Sequence, residues 1–69
     1  MSAARNKLIA KLQATSTDML VDIVRKLNRD TTAEGILVAS EAANVLEARM
    51  PDADFLQLMN ELEADLMAA

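Results

Sequence analysis

The sequence contains no histidine, cysteine, tryptophan or tyrosine, and it has one phenylalanine among its 69 residues. Histidine is the commonest general base and metal ligand, and a cysteine thiolate is the most readily tuned nucleophile. The carboxylates, hydroxyls and amines that remain do not form a catalytic constellation along the chain. We therefore expect a protein that is not an enzyme and that holds no cofactor and no metal.

The lack of cysteine also excludes disulfides and thiolate zinc sites, which often stabilise small domains. A chain of 69 residues is expected to form one helical domain spanning 1–69. Such a domain buries only about 60% of the surface that its unfolded chain exposes. Packing or self-association must therefore supply the stability.

Long apolar runs are absent as well. The longest one, Ile36-Leu37-Val38-Ala39, is far shorter than the roughly 20 residues of a membrane span. The apolar stretch near the start of the chain is interrupted by Lys11, so it is too short for a signal peptide. We expect a soluble, cytoplasmic protein that does not enter a membrane.

The charges that are present divide the chain into two parts. Residues 1–29 hold six of the seven bases and two acids, a sum of +4, whereas residues 30–69 hold nine acids and one base, a sum of -8. The two parts together give the net charge of -4. This polarity is compatible with steering toward a charged partner, although solvated helix faces explain it more simply.

Apolar residues recur with helical spacing in four segments, at about 3–14, 17–28, 32–50 and 53–67. Thr15 and Thr31 each precede an acid by three residues, a pattern typical of a capping box. Pro51 ends the third segment, and Asp52 is then expected to cap the fourth. The sequence predicts an all-α fold, a compact bundle of three to four short helices with the long third helix at its centre.

The third segment has two apolar stripes, which is typical of a central helix. Its polar residues are expected to face solvent, and Glu41 and Glu47 are among them. The principal stripe contains Ile36, Ala39, Ala43, Leu46 and Met50, and the second contains Val38, Ala42 and Val45. In the fourth segment the buried stripe is predicted to contain Phe55, Leu58, Met59, Leu62 and Leu66.

Without Met1, the chain has twenty-two large apolar residues, more than one small bundle is expected to bury. Gly35, Ala39 and Ala43 lie four residues apart and form a ridge of small residues that permits close helix contact. We therefore predict a protein-interaction module, a small acidic regulator, inhibitor or assembly subunit, that forms a homodimer or binds another protein. The predicted interface comprises Gly35, Val38, Ala39, Ala42, Val45, Leu56 and Met67.

Calcium binding is rejected although Asp52, Asp54 and Glu63 match the ends of a calcium loop. The sixth loop position, which requires glycine, is Gln57, and the fifth is Leu56 in place of an oxygen ligand. The apolar stripe across the same residues instead indicates a helix.

The alternative function is that of a DNA-associated accessory protein or transcriptional regulator. The basic first helix would contact phosphates through Arg5, Lys7 and Lys11. A helix-turn-helix arrangement is disfavoured because the third helix presents Glu34, Glu41 and Glu47 and would repel phosphates. We therefore regard binding to nucleic acid as the lesser hypothesis.

Overall fold

The computed structural model describes residues 3–68, which fold as four helices without a strand. The helices are α1 (Ala3–Gln13), α2 (Thr17–Leu27), α3 (Ala33–Arg49) and α4 (Asp52–Met67). The all-α fold is confirmed, and every helix end lies within one residue of its predicted position. None of the helices in 3–68 is both long enough and apolar enough to cross a membrane.

The residues that cap α2 and α3 each lie one position after the predicted ones. Ser16 caps α2 by accepting a hydrogen bond of 3.2 Å from the Met19 backbone N–H. Thr32 caps α3 by accepting one of 3.0 Å from the Gly35 N–H. The predicted capping boxes were therefore wrong, because the hydroxyl of Thr15 donates instead to the Lys11 carbonyl at the end of α1.

The start of α4 also differs from the prediction. Pro51 occupies the cap position, and no side chain bonds to the first turn, so Asp52 is the first helical residue and not the cap. Proline suits this place because its fixed φ prepares the helix and it has no N–H to satisfy. Asp52 and Asp54 lie in the first turn, where the helix dipole favours acids.

Contacts between helices give their relative directions. Arg5 pairs with Glu41, and Arg49 donates to the Gln13 carbonyl, so positions advance together along α1 and α3 and these helices run the same way. Arg25 of α2 pairs with Glu61 of α4, and Arg29, which follows α2, pairs with Asp65, so these positions likewise advance together. α1 is therefore parallel to α3, and α2 is parallel to α4.

The core is a single apolar cluster to which every helix contributes. Leu20 of α2 and Leu46 of α3 are the largest side chains that are completely buried. α3 contacts each of the other three helices, which confirms its central place. The buried apolar residues are Leu12, Leu20, Val24, Ala42, Leu46, Leu58 and Leu62.

Burial differs from the prediction at Glu41, Ile36 and Leu66. Glu41 was expected in solvent but is buried, whereas Ile36 and Leu66, which were expected in the core, are each 53% exposed. Ile36 lies at the start of α3 and Leu66 near the end of α4, and the few contacts between these two helices leave both side chains exposed. Glu41 is buried because α1 covers it and supplies a guanidinium.

Two arginines stabilise the C-terminal ends of helices other than their own. Arg29, in the turn after α2, donates to the carbonyls of Asp65 and Ala68 at the end of α4, which has no base in its last turn. Arg49 of α3 donates to the carbonyls of Gln13 and Thr15 after α1. A cation near these unpaired carbonyls satisfies them and complements the helix dipole.

Candidate protein-interaction surfaces

An apolar groove of about 510 Å³ opens to solvent where the start of α3 meets α1 and the end of α2. We call it the α1–α3 groove. Its apolar walls come from three helices, so no short stretch of sequence reveals it. The lining residues are Leu8, Leu27, Asp30, Thr32, Glu34, Gly35, Leu37 and Val38.

The acidic side of the α1–α3 groove is built from a chain of hydrogen bonds. Gly35 N–H donates to the Thr32 hydroxyl, which donates to Oδ1 of Asp30 at 2.6 Å. The Thr32 backbone N–H donates to the same oxygen at 2.7 Å. These two bonds from Thr32 lower the pKa of Asp30 below its ordinary value of 3.8. Asp30 therefore remains ionised at the edge of the groove at neutral pH.

Gly35 lies against this carboxylate. A Cβ atom at position 35 would lie 2.6 Å from each Asp30 oxygen, closer than real Cβ atoms approach. Only glycine therefore fits beside Asp30 while Asp30 keeps its bonds to Thr32. The sequence analysis assigned Gly35 to a ridge for helix packing, whereas the structure places it against a loop side chain.

A second apolar surface lies on α4, on the side facing away from the core. Leu56 is 61% exposed and Met67 is 78% exposed. These residues are eleven positions apart, three helical turns, so they share one face. Asn60 and Glu63 lie between them on that face, and Leu66 borders it. We call Leu56, Leu66 and Met67 the α4 apolar face.

The predicted interface residues are divided between the surface and the interior. Leu56 and Met67 are exposed as expected, and Val38, Ala39 and Val45 are half-buried. Gly35 and Ala42 are buried within the chain, and Ala42 is completely so. A partner on the surface therefore has no access to Ala42, whereas Val38 of the same stripe lines the α1–α3 groove.

The bases that were predicted to contact phosphates differ in whether they pair with an acid of the same chain. Arg5 is engaged with Glu41 at 2.9 Å, while Lys7 and Lys11 are exposed and form no ion pair within 3–68. Arg25, Lys26 and Arg29 pair with acids, and Arg49 bonds to carbonyls. Five of the seven bases thus bind acids or backbone carbonyls of the same chain.

The predicted interface included Gly35 and Val38 of the α1–α3 groove but missed the other residues that line it. Leu37 is 40% exposed, and Ile36 beside it is also exposed, at the start of α3. An Asp two residues before a Thr is a signal for a local turn, and it marks the Asp30 position. The sequence carries no comparable signal for the meeting of Leu8 and Leu27.

The acids of 3–68 do not gather in a way that suits a metal, since no group of three or more potential ligands occurs there. Asp52, Asp54 and Glu63 lie on one continuous helix, α4, so a calcium loop does not form. Comparison with protein-family models, curated proteins and solved structures finds no match to this chain. The assignment of function therefore depends on the two apolar surfaces.

Proposed function

We propose that this chain is a non-enzymatic protein-interaction module that pairs with a second copy through the α4 apolar face. The observation that supports the proposal is the exposure of Leu56, Leu66 and Met67 on one helix, from 53% to 78%. Leu66 and Met67 are adjacent, and Leu56 lies three turns away beyond Asn60 and Glu63. Large apolar side chains that are exposed together on one helix are typical of an interaction surface. The proposed surface keeps Leu56 and Met67 of the predicted interface and leaves out its α3 residues, of which Gly35 and Ala42 are buried.

Two-fold pairing suits the α4 apolar face because its apolar residues lie at both ends of the strip. In an antiparallel contact each copy's Leu56 meets Met67 of the other copy, and the distance between them is about 16 Å along the helix. In this register Glu63 faces Asn60 of the other copy, and the two Glu63 side chains lie only about 5 Å apart along the helix axis. Like charges repel, so added salt should strengthen the dimer by screening them.

Substitution of the α4 apolar face tests the proposal by sedimentation equilibrium. Leu56→Gln and Met67→Gln should each weaken self-association at least about tenfold, a loss of about 1.4 kcal/mol. Met19→Gln is the matched control, because Met19 is also 61% exposed but lies on α2. Equal weakening by Met19→Gln would contradict pairing through α4.

We place this function in the cytoplasm because the chain has no cysteine and gains nothing from an oxidising compartment. Cell fractionation of a tagged copy tests this placement. Recovery of the protein mainly with secreted material would contradict it.

The alternative of binding DNA is supported by Lys7 and Lys11, the two bases whose side chains form neither an ion pair nor a hydrogen bond within 3–68. Two phosphate contacts release few counterions and give weak, salt-sensitive binding. A mobility shift on duplex DNA at rising salt tests the alternative. Tight binding that is lost on Lys7→Gln or Lys11→Gln would favour it over the protein-interaction module.

A further inference from the structure

The α1–α3 groove offers an apolar floor with fixed negative charge along one side. Leu8, Leu27 and Val38 are half-buried in it, and Leu37 is exposed at its outer wall. The groove is open along its length, which suits an inserted helix better than a small molecule enclosed on most sides.

The charge beside the groove comes from Asp30 and Glu34. Neither carboxylate forms an ion pair with a base among residues 3–68. Oδ1 of Asp30 accepts from Thr32, which holds the side chain in place. A positive group on an occupant would therefore meet the Asp30 carboxylate, which Thr32 already holds in place, with Glu34 beside it.

The α4 apolar face of a second copy does not match the charge of the groove. Glu63 lies beside that face, and α4 carries no base. The α4 apolar face would bring another acid toward Asp30 and Glu34. The occupant of the groove is therefore expected to differ from the second copy that pairs with the α4 apolar face.

We propose that the α1–α3 groove binds an amphipathic helix of another protein, with apolar anchors spaced i, i+3, i+4 and i+7 and with Lys or Arg beside them. The inference rests on the proposed function, since it names the partner of a protein-interaction module. The anchors occupy the space between Leu8, Leu27 and Leu37. The bases pair with Asp30 and Glu34.

The test uses two dye-labelled helical probe peptides of about 18 residues, built from Leu, Ala and either Lys or Glu in one apolar pattern. Fluorescence anisotropy measures their binding to the full chain. The Lys probe should bind at least about tenfold tighter than the Glu probe. Equal binding of both probes would show that the acids have no part in recognition and would overturn the proposal.

Variants then locate the site. Glu34→Lys should weaken binding of the Lys probe at least about tenfold. Glu47→Lys makes the same change of net charge at an exposed position of α3 outside the groove and should weaken binding much less. Leu37→Gln should weaken binding of the Lys probe as well, and circular dichroism verifies that each variant is folded. Equal weakening by Glu34→Lys and Glu47→Lys would mean that net charge alone attracts the probe. The assignment of its binding site to the α1–α3 groove would then be wrong.

The remaining outcomes separate this inference from the proposed function. If Leu56→Gln abolishes probe binding and Leu37→Gln does not, the probe binds α4 and the groove proposal fails. If Leu37→Gln abolishes self-association, the groove binds a second copy of this chain, and the proposal that it binds a helix of another protein is wrong. If neither probe binds while the chain still dimerises, the groove proposal fails and the proposed function stands.

Discussion

The guanidinium of Arg5 in α1 donates a hydrogen bond of 2.9 Å to the carboxylate of Glu41 in α3. The Glu41 side chain is 9% exposed, whereas that of Arg5 is 50% exposed, so the pair extends from the interior to the surface. A buried carboxylate is stable only when it is hydrogen-bonded. None of the buried side-chain N or O atoms in 3–68 lacks a hydrogen-bond partner. The pair thus fixes α1 to the central helix.

Arg5→Ala should lower the free energy of unfolding by about 1 to 3 kcal/mol, because it leaves the Glu41 carboxylate buried without this bond. In a Glu41→Leu background the same substitution should cost less than about 0.5 kcal/mol. Urea unfolding followed by circular dichroism measures both. Equal losses in the two backgrounds would show that Arg5 and Glu41 are not coupled.

Leu46→Ala should lower the free energy of unfolding by about 2 to 5 kcal/mol, because Leu46 is completely buried in the central helix and its loss leaves a cavity. Glu47 is the adjacent control, since it is exposed, and Glu47→Ala should change stability by less than about 0.5 kcal/mol. Chemical unfolding of both variants measures the difference. Similar losses at the two positions would contradict the orientation of α3.

Gly35→Ala should destabilise the protein, although alanine usually stabilises a helix interior relative to glycine. The reason is the overlap between the new methyl group and the Asp30 carboxylate, which two bonds from Thr32 hold in place. In an Asp30→Ala background the sign should reverse, and Gly35→Ala should stabilise by about 0.5 to 1 kcal/mol. Thermal unfolding of the four proteins measures this cycle. If Gly35→Ala also destabilises the Asp30→Ala variant, the Asp30 carboxylate is not what excludes a methyl group at position 35.

The stability contributed by Asp30 should depend on pH. Its pKa is lower in the folded protein than its ordinary value of 3.8, so the folded state favours the charged form. The contribution is complete well above pH 3.8 and is lost as the pH falls from there through the lower, folded-state pKa. The difference in Tm between the native chain and Asp30→Asn should therefore shrink as the pH falls below that value. A constant difference across the range would contradict the assigned hydrogen bonds.

The helices could be predicted from the sequence because their ends depend on local chemistry. Pro51 and the hydroxyl residues near 16 and 32 act within one turn, so the predicted ends were correct within one residue. The position of Glu41 could not be predicted in this way. Its burial depends on a base 36 residues earlier in the chain.

The candidate surfaces were predicted only in part for a related reason. Leu56 and Met67 could be assigned to the surface from the periodicity of α4 alone. Ile36 and Leu66 were misplaced because periodicity does not say how closely α4 packs on α3, and the contacts between these helices are few. The side-chain contacts of Arg25 and Arg29 with α4 are also not visible in a local pattern. The groove beside Leu37 requires three helices to meet, which no local pattern encodes.

Light scattering coupled to size exclusion, from micromolar to high concentration, tests most directly the proposal that this chain is a self-pairing interaction module. We predict a mass that rises with concentration from 7.5 kDa for the single chain toward twice that value. The rise should occur at lower concentration in higher salt, since screening relieves the repulsion between the two Glu63 side chains. A mass that remains at 7.5 kDa at every concentration and salt would contradict pairing through the α4 apolar face.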